Sequence, residues 1–128
     1  MIESKAKRGS TIALWVLRVL VALLFLATGA MKLLGAPMAI HEFDQIGFGQ
    51  GFRIFTGAVE VLGALLAFFP RSSTIGASLL FCVSIGALIA QAASLHQDVI
   101  HPVVLMALTG LLAWASRRTL PWMTAPRP

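Results

Sequence analysis

Charged side chains are scarce in this chain: 12% of its 128 residues, where ordinary soluble domains carry roughly 25%. With 58% hydrophobic residues and a mean hydropathy of +0.86, so few charges cannot cover a water-facing surface, which excludes an ordinary soluble domain. The composition points to a single integral membrane domain over residues 1–128. Cysteine is scarcer still. The one thiol, Cys82, lies inside an apolar run, which excludes an intrachain disulfide, a CxxC redox pair and a thiolate metal cage. A basic stripe is also missing. The formal charge is +5 and the sequence pI about 10.8, but Lys and Arg sit in short flanks beside apolar runs, which excludes nucleic acid as a partner and reads as a set of topology signals.

What is present is a set of long apolar runs. A hydrocarbon core about 30 Å thick takes roughly 20 helical residues to cross. Residues 11–34, 51–69, 74–94 and 99–116 meet or approach that length. Breakers separate them: Gly35 and Pro37, then Pro70 with Arg71, Ser72 and Ser73, then a polar LHQD turn. Pro102 falls in a first helical turn, where its missing N–H costs least. The expected fold is therefore all-α, an integral membrane four-helix bundle running up-down-up-down. Lys5, Lys7 and Arg8 before an apolar stretch ending in ATGA imitate a secretory signal, but the run continues through MKLLG and contains Arg18, so it reads as a retained helix.

The basic flanks set the direction of insertion. Lys5, Lys7, Arg8, Arg71, Arg117, Arg118 and Arg127 all fall on one side of a four-span arrangement, so both termini are expected in the cytoplasm. Trp15, Trp114 and Trp122 lie near the same face as interfacial anchors. The longest outer loop, 36–50, contains a short amphipathic helix opened by Pro37, with Ala39, Phe43 and Ile46 on one face and His41, Asp44 and Gln45 on another. It serves either as a lid in the outer interface or as an ordered connector.

Charges inside the apolar runs are the sharpest functional signal, because they must face the protein interior and meet a partner. Arg18 lies in the first run and Glu60 in the second. Counted from the inner ends of 11–34 and 51–69, their heights differ by about 3 Å at 1.5 Å per residue, so the two are expected to pair. Lys32 and Arg53 fall at heptad spacings from them, which makes Arg18, Lys32, Arg53 and Glu60 the candidate ligand-binding residues along one polar track opening outward. The same charges also read as a register-fixing ion pair with no chemistry. At the outer mouth gather His41, Gln91, His96 and His101, with Glu42, Asp44 and Asp98. No HxxxH spacing marks a metal site, and these histidines read as solvated interface groups. In the third run, Thr74, Ser78, Cys82, Gly86, Ala90 and Ser94 recur every fourth residue as a ridge of small side chains suited to helix packing, and Gly57 and Gly63 flank Glu60.

A first span ending in GAMKLLG, a loop with FDQIGF, a second span reading RIFTGAVEVLGALLAFFP and a histidine-proline pair opening the fourth together resemble the DoxX-like family of small four-helix bacterial membrane proteins. The resemblance covers roughly residues 18–114. It implies a multi-pass protein of the bacterial cytoplasmic membrane whose recurrent polar positions match Arg18, Lys32 and Glu60. It also implies an association with quinone-linked redox or oxidant-detoxifying systems, and hence quinone as the candidate cofactor. No electron-carrier site is evident in the chain itself, so an accessory subunit taking a small ligand from the outer face is the expected role, with a quinone head group or a sulfur oxyanion as ligand. The alternative is a noncatalytic adaptor or assembly factor. Expected partners are the lipid bilayer and a partner membrane protein or a second copy of the chain.

Overall fold

A computed structural model describes residues 2–95 and 99–117, with side chains over 11–93 and 99–117. The described residues form five α-helices: α1 (Ile2–Leu34), α2 (Pro37–Ile46), α3 (Gln50–Phe68), α4 (Ser73–Ala90) and α5 (Ile100–Ser116). A short 3-10 turn, Pro70–Ser72, joins α3 to α4, and α4 runs directly into a π-helical turn, Gln91–Leu95. Three helical stretches, Thr11–Leu34, Gln50–Phe68 and Pro70–Ala93, are long and apolar enough to cross a membrane, and Ile100–Ser116 is a shorter apolar helix.

The helix ends follow from glycine and proline. Gly35 adopts φ 74°, and the amides of Gly35 and Ala36 donate to the carbonyls of Lys32 and Met31, the paired closing bonds of a Schellman cap. Pro37 then starts α2 where no amide donor is needed, and Gly47 at φ 89° closes it with a bond to the Phe43 carbonyl. The expected amphipathic helix is present, with Ala39 and Phe43 buried and Ile46 half-buried.

Packing is dictated by small residues. A Cβ built on Gly29 would lie 2.9 Å from the Gly57 carbonyl oxygen, and one on Gly57 would lie 2.9 Å from that of Gly29, so α1 and α3 touch backbone to backbone. At the other end of α3, a Cβ on Gly76 of α4 would come within 2.3 Å of the Ala67 nitrogen. Gly63 makes room for the Leu80 side chain of α4 rather than for a neighbour of Glu60. α4 lies along α5, with Thr74 Oγ1 donating to the Ala113 carbonyl at 3.0 Å, and α5 returns to touch α1. Val21, Phe25, Ala64, Ala67, Ala77, Leu80 and Leu112, drawn from α1, α3, α4 and α5, make one shared core.

The ridge expected in the third run does not form the packing face. Ser78, Cys82 and Gly86 are exposed, while Ser73, Gly76, Ala77, Leu80 and Ser84 are buried. The reason is geometric: a four-residue repeat advances 400° on a helix of 3.6 residues per turn, so it drifts about 40° at each step and winds off any single face. The buried set steps by four, three and four from Ser73 through Ala77 and Leu80 to Ser84, with Gly76 beside Ala77, and stays on one side.

Candidate functional site

The polar side chains of the interior gather at two separate levels. One is the end of the helices next to α2; the other is the tail end, where α1 begins and α5 stops. At the α2 end, Lys32 of α1 and Glu60 of α3 form an ion pair, Nζ lying 3.0 Å from Oε1 and 3.1 Å from Oε2. Thr28, one turn before Lys32, donates its hydroxyl to Glu60 Oε2 at 3.0 Å. The Gly29–Gly57 contact positions all three, because it brings the two helix backbones close enough for a short threonine to reach the carboxylate. Glu60 retains 6% of its side-chain exposure and Lys32 19%, so the carboxylate is the more deeply held partner.

Arg53 lies one shell outward and acts as a clamp. Its Nη1 donates to the Lys32 carbonyl, one of the orphan acceptors at the end of α1, and its Nε donates to Gln50 Oε1 at 2.7 Å. Gln50 in turn donates to Asp44 Oδ1 and to the Ile40 carbonyl. This chain ties α1, α2 and α3 together and engages Arg53 before any ligand could.

Arg18 does not meet Glu60. It is buried at 2% exposure at the tail end, where Nε donates to Ser73 Oγ at 3.2 Å and Nη2 to Ser116 Oγ at 3.4 Å, with the guanidinium 4.6 Å from the centre of the Trp15 ring. The expected pairing set the inner ends of 11–34 and 51–69 at one height. With Gly29 opposite Gly57, Arg18 instead falls level with Phe68 at the end of α3, near the Trp15–Phe68 ring contact and eight residues, or about 12 Å, along α3 from Glu60. The single polar track is therefore two sites. Serine hydroxyls, not a carboxylate, receive the arginine.

A cavity of about 460 Å³ opens beside the Lys32–Glu60 pair, within the roughly 300–1,000 Å³ usual for small-molecule sites. Its wall is mainly apolar, built from Phe25, Met31, Phe43, Phe55, Val83 and Leu105 among others, and α2 contributes one side through Ala39, Glu42 and Phe43. Of the sequence candidates, Lys32, Glu60, Gln91 and His101 line it; Arg18, Arg53 and His41 do not, and His96 lies outside the described residues. Lys32 brings one positive charge to this wall, Glu42 and Glu60 two negative ones. Among the described residues, Gln91 Oε1 is the buried side-chain polar atom without a hydrogen-bond partner, a condition that typically costs about 1–3 kcal/mol. Gln91 opens the π turn, a local widening often found where helices serve a site.

Sequence reasoning missed Thr28, Ser73 and Ser116. Thr28 was findable, standing four residues before Lys32 on the same helical face. Ser73 and Ser116 carry no such signal, since they join Arg18 only across three different helices.

A family model described as the DoxX-like family matches residues 16–116. No curated protein and no solved structure matches the chain.

Proposed function

The chain belongs to the DoxX-like family, and on that premise we propose that it works as a four-span, up-down-up-down helical bundle in a bacterial cytoplasmic membrane, an accessory subunit of a quinone-linked redox or oxidant-detoxifying system that takes a small ligand into the cavity from the outer face. One observation carries this reading: a mainly apolar cavity of ligand size with a desolvated ammonium–carboxylate pair in its wall. The residues present suit a quinone head group. Phe25, Phe55 and Val83 supply apolar contact to a ring, Lys32 a donor for a carbonyl oxygen, and Glu60 a carboxylate that takes or returns a proton when the bound oxygen changes state. A quinone would bring the two-electron chemistry; the chain's own residues bind, orient and exchange the proton.

The orientation belongs to the same proposal: both termini are cytoplasmic, and the α2 end with the cavity faces outward, as the side of the basic flanks suggests. Reporter fusions at Arg71 and at Gly47 test it, and the expected result is a cytoplasmic signal at Arg71 and an exported one at Gly47.

Calorimetric titration of the detergent-purified protein with a short-chain quinone analogue tests the ligand reading. Ala87 of α4 lines the cavity, and Ala87→Phe places a ring in that space while leaving both members of the ion pair in the sequence. Saturable binding in the wild type and its loss in Ala87→Phe are the expected results; no binding in either defeats the proposal. The adaptor reading has one observation in its favour, the exposed small residues Ser78, Cys82 and Gly86 on α4, where another helix can approach closely. A stoichiometric membrane partner that co-purifies and is released by Ser78→Leu, a position outside the cavity wall, supports that alternative.

A further inference from the structure

The chemistry of the wall narrows what the cavity takes, resting on the reading that it is a ligand site. We propose that the cavity favours a neutral amphiphile whose polar end is a hydroxyl donor, so that a phenol or the hydroquinone form of the proposed head group is held more tightly than the aprotic quinone form and a sulfur oxyanion is turned away, and that Gln91 is the residue that makes this selection.

Charge excludes the oxyanion first. The surplus of cations suggested by Arg18, Lys32 and Arg53 does not reach the cavity: Arg18 is at the tail end, Arg53 is engaged by the Lys32 carbonyl and Gln50, and Lys32 is matched by both oxygens of Glu60. Glu42 then adds a second carboxylate to a wall that carries a single lysine ammonium. An anion entering this low-dielectric space would lose its hydration and meet repulsion.

Hydrogen-bond inventory then separates donors from acceptors. Every hydroxyl proton in the wall is committed within the protein: Thr28 to Glu60 and the Phe25 carbonyl, Thr56 to the Phe52 carbonyl, Ser84 to the Leu80 carbonyl. Lys32 gives two of its three N–H groups to Glu60. The donors left among the described residues are the third N–H of Lys32, the Gln91 amide and the His101 ring, while Glu42, Glu60, three hydroxyl oxygens and Gln91 Oε1 all accept. A wall so rich in acceptors rewards a guest that brings its own proton. Gln91 Oε1 is the acceptor in greatest need, since it is buried and unpartnered. The terminal torsion of a glutamine is broad, so the amide can swing that oxygen onto a bound hydroxyl. A ketone or an ether at the same place leaves it unsatisfied.

The test uses two isomeric probes of equal size, para-pentylphenol and para-butylanisole, whose oxygen carries a hydrogen in the first and a methyl group in the second. Each is titrated into detergent-purified wild type and Gln91→Met by calorimetry. The wild type is expected to prefer the phenol by about fivefold to tenfold, the worth of one hydrogen bond, and Gln91→Met to bring the two probes to near equality while still binding the anisole. Both probes are compared within one protein, so a change in folded fraction cancels. An unchanged preference in Gln91→Met overturns the assignment to Gln91. Equal binding of the two probes by the wild type overturns donor selection, and displacement of the phenol by sodium thiosulfate overturns neutrality. Ala87→Phe separates this inference from the reading beneath it: if both probes bind that variant as they bind the wild type, they bind elsewhere and both ideas fall, whereas a quinone analogue blocked by Ala87→Phe without any phenol preference overturns donor selection alone.

Discussion

The tail end and the α2 end each take a cation out of water, and they do so in opposite ways. At the tail end Arg18 is closed in by serine hydroxyls from α4 and α5 and by the Trp15 ring, and no carboxylate reaches it among the described residues. At the α2 end Lys32 meets Glu60 in direct contact, yet the pair is left beside open space. A guanidinium fills its site with directed N–H groups and serves as a three-helix lock. An ammonium on a flexible stem, balanced by a carboxylate at a cavity wall, retains room to answer a guest. Buried charge alone does not tell the two ends apart; the space next to it does.

That contrast is open to direct attack. The largest effect is expected at the ion pair. Lys32→Met or Glu60→Leu should each lower unfolding stability in detergent by about 3–5 kcal/mol, and the double variant should recover most of it, since removing both partners strands no charge. Additive losses would break the description of the α2 end. Next comes Ser73→Ala, which removes an acceptor from Arg18 and the donor to the Ala67 carbonyl. It should cost about 1.5–3 kcal/mol, against about 1 kcal/mol for Thr28→Val, whose site lies on a cavity that water can enter. Equal costs would erase the difference between closed and open ends. A double-variant cycle of Arg18→Leu with Glu60→Leu should show a coupling below about 0.5 kcal/mol, because the two side chains share no partner. The smallest effect of a single substitution belongs to Arg117→Ala, at about 0.5 kcal/mol: this cation also sits at the tail end over a tryptophan ring, 4.3 Å from its centre, but Trp114 is 62% exposed.

The helices were legible in the sequence because hydropathy and breaker residues are local: Gly35 with Pro37, and Pro70 with the serines after it, stand at the ends of α1 and α3. Register was not local. It depends on which glycine of α1 meets which glycine of α3, and neither Gly29 nor Gly57 carries in its own neighbourhood any mark of the other. For that reason Lys32, Glu60, Gln91 and His101 could be named as polar residues of one region, while the partner of Glu60 was assigned to Arg18. The small-residue ridge of α4 misled for a related reason, since equal spacing in sequence is not equal direction on a helix of 3.6 residues per turn. The cavity had no sequence signature. It is the gap left where α2 folds across the other helices beside the small residues Ser84, Gly86, Ala87 and Ala90 of α4.

The unequal lengths of the helices carry a consequence for the surrounding lipid. The apolar part of α1, Thr11–Leu34, holds 24 residues and measures about 36 Å, whereas the 17 residues of α5 measure about 26 Å. A bilayer with a hydrocarbon core of about 30 Å is too thin beside the first and too thick beside the second. In the four-span arrangement proposed above, α1 meets this by tilting or by locally thickened lipid and α5 by thinned lipid, a lopsided hydrophobic mismatch within a single small molecule. His101, exposed in the first turn of α5, places one edge of the cavity on the short flank. For the ligand proposed above, that flank would offer the least depth of hydrocarbon to cross.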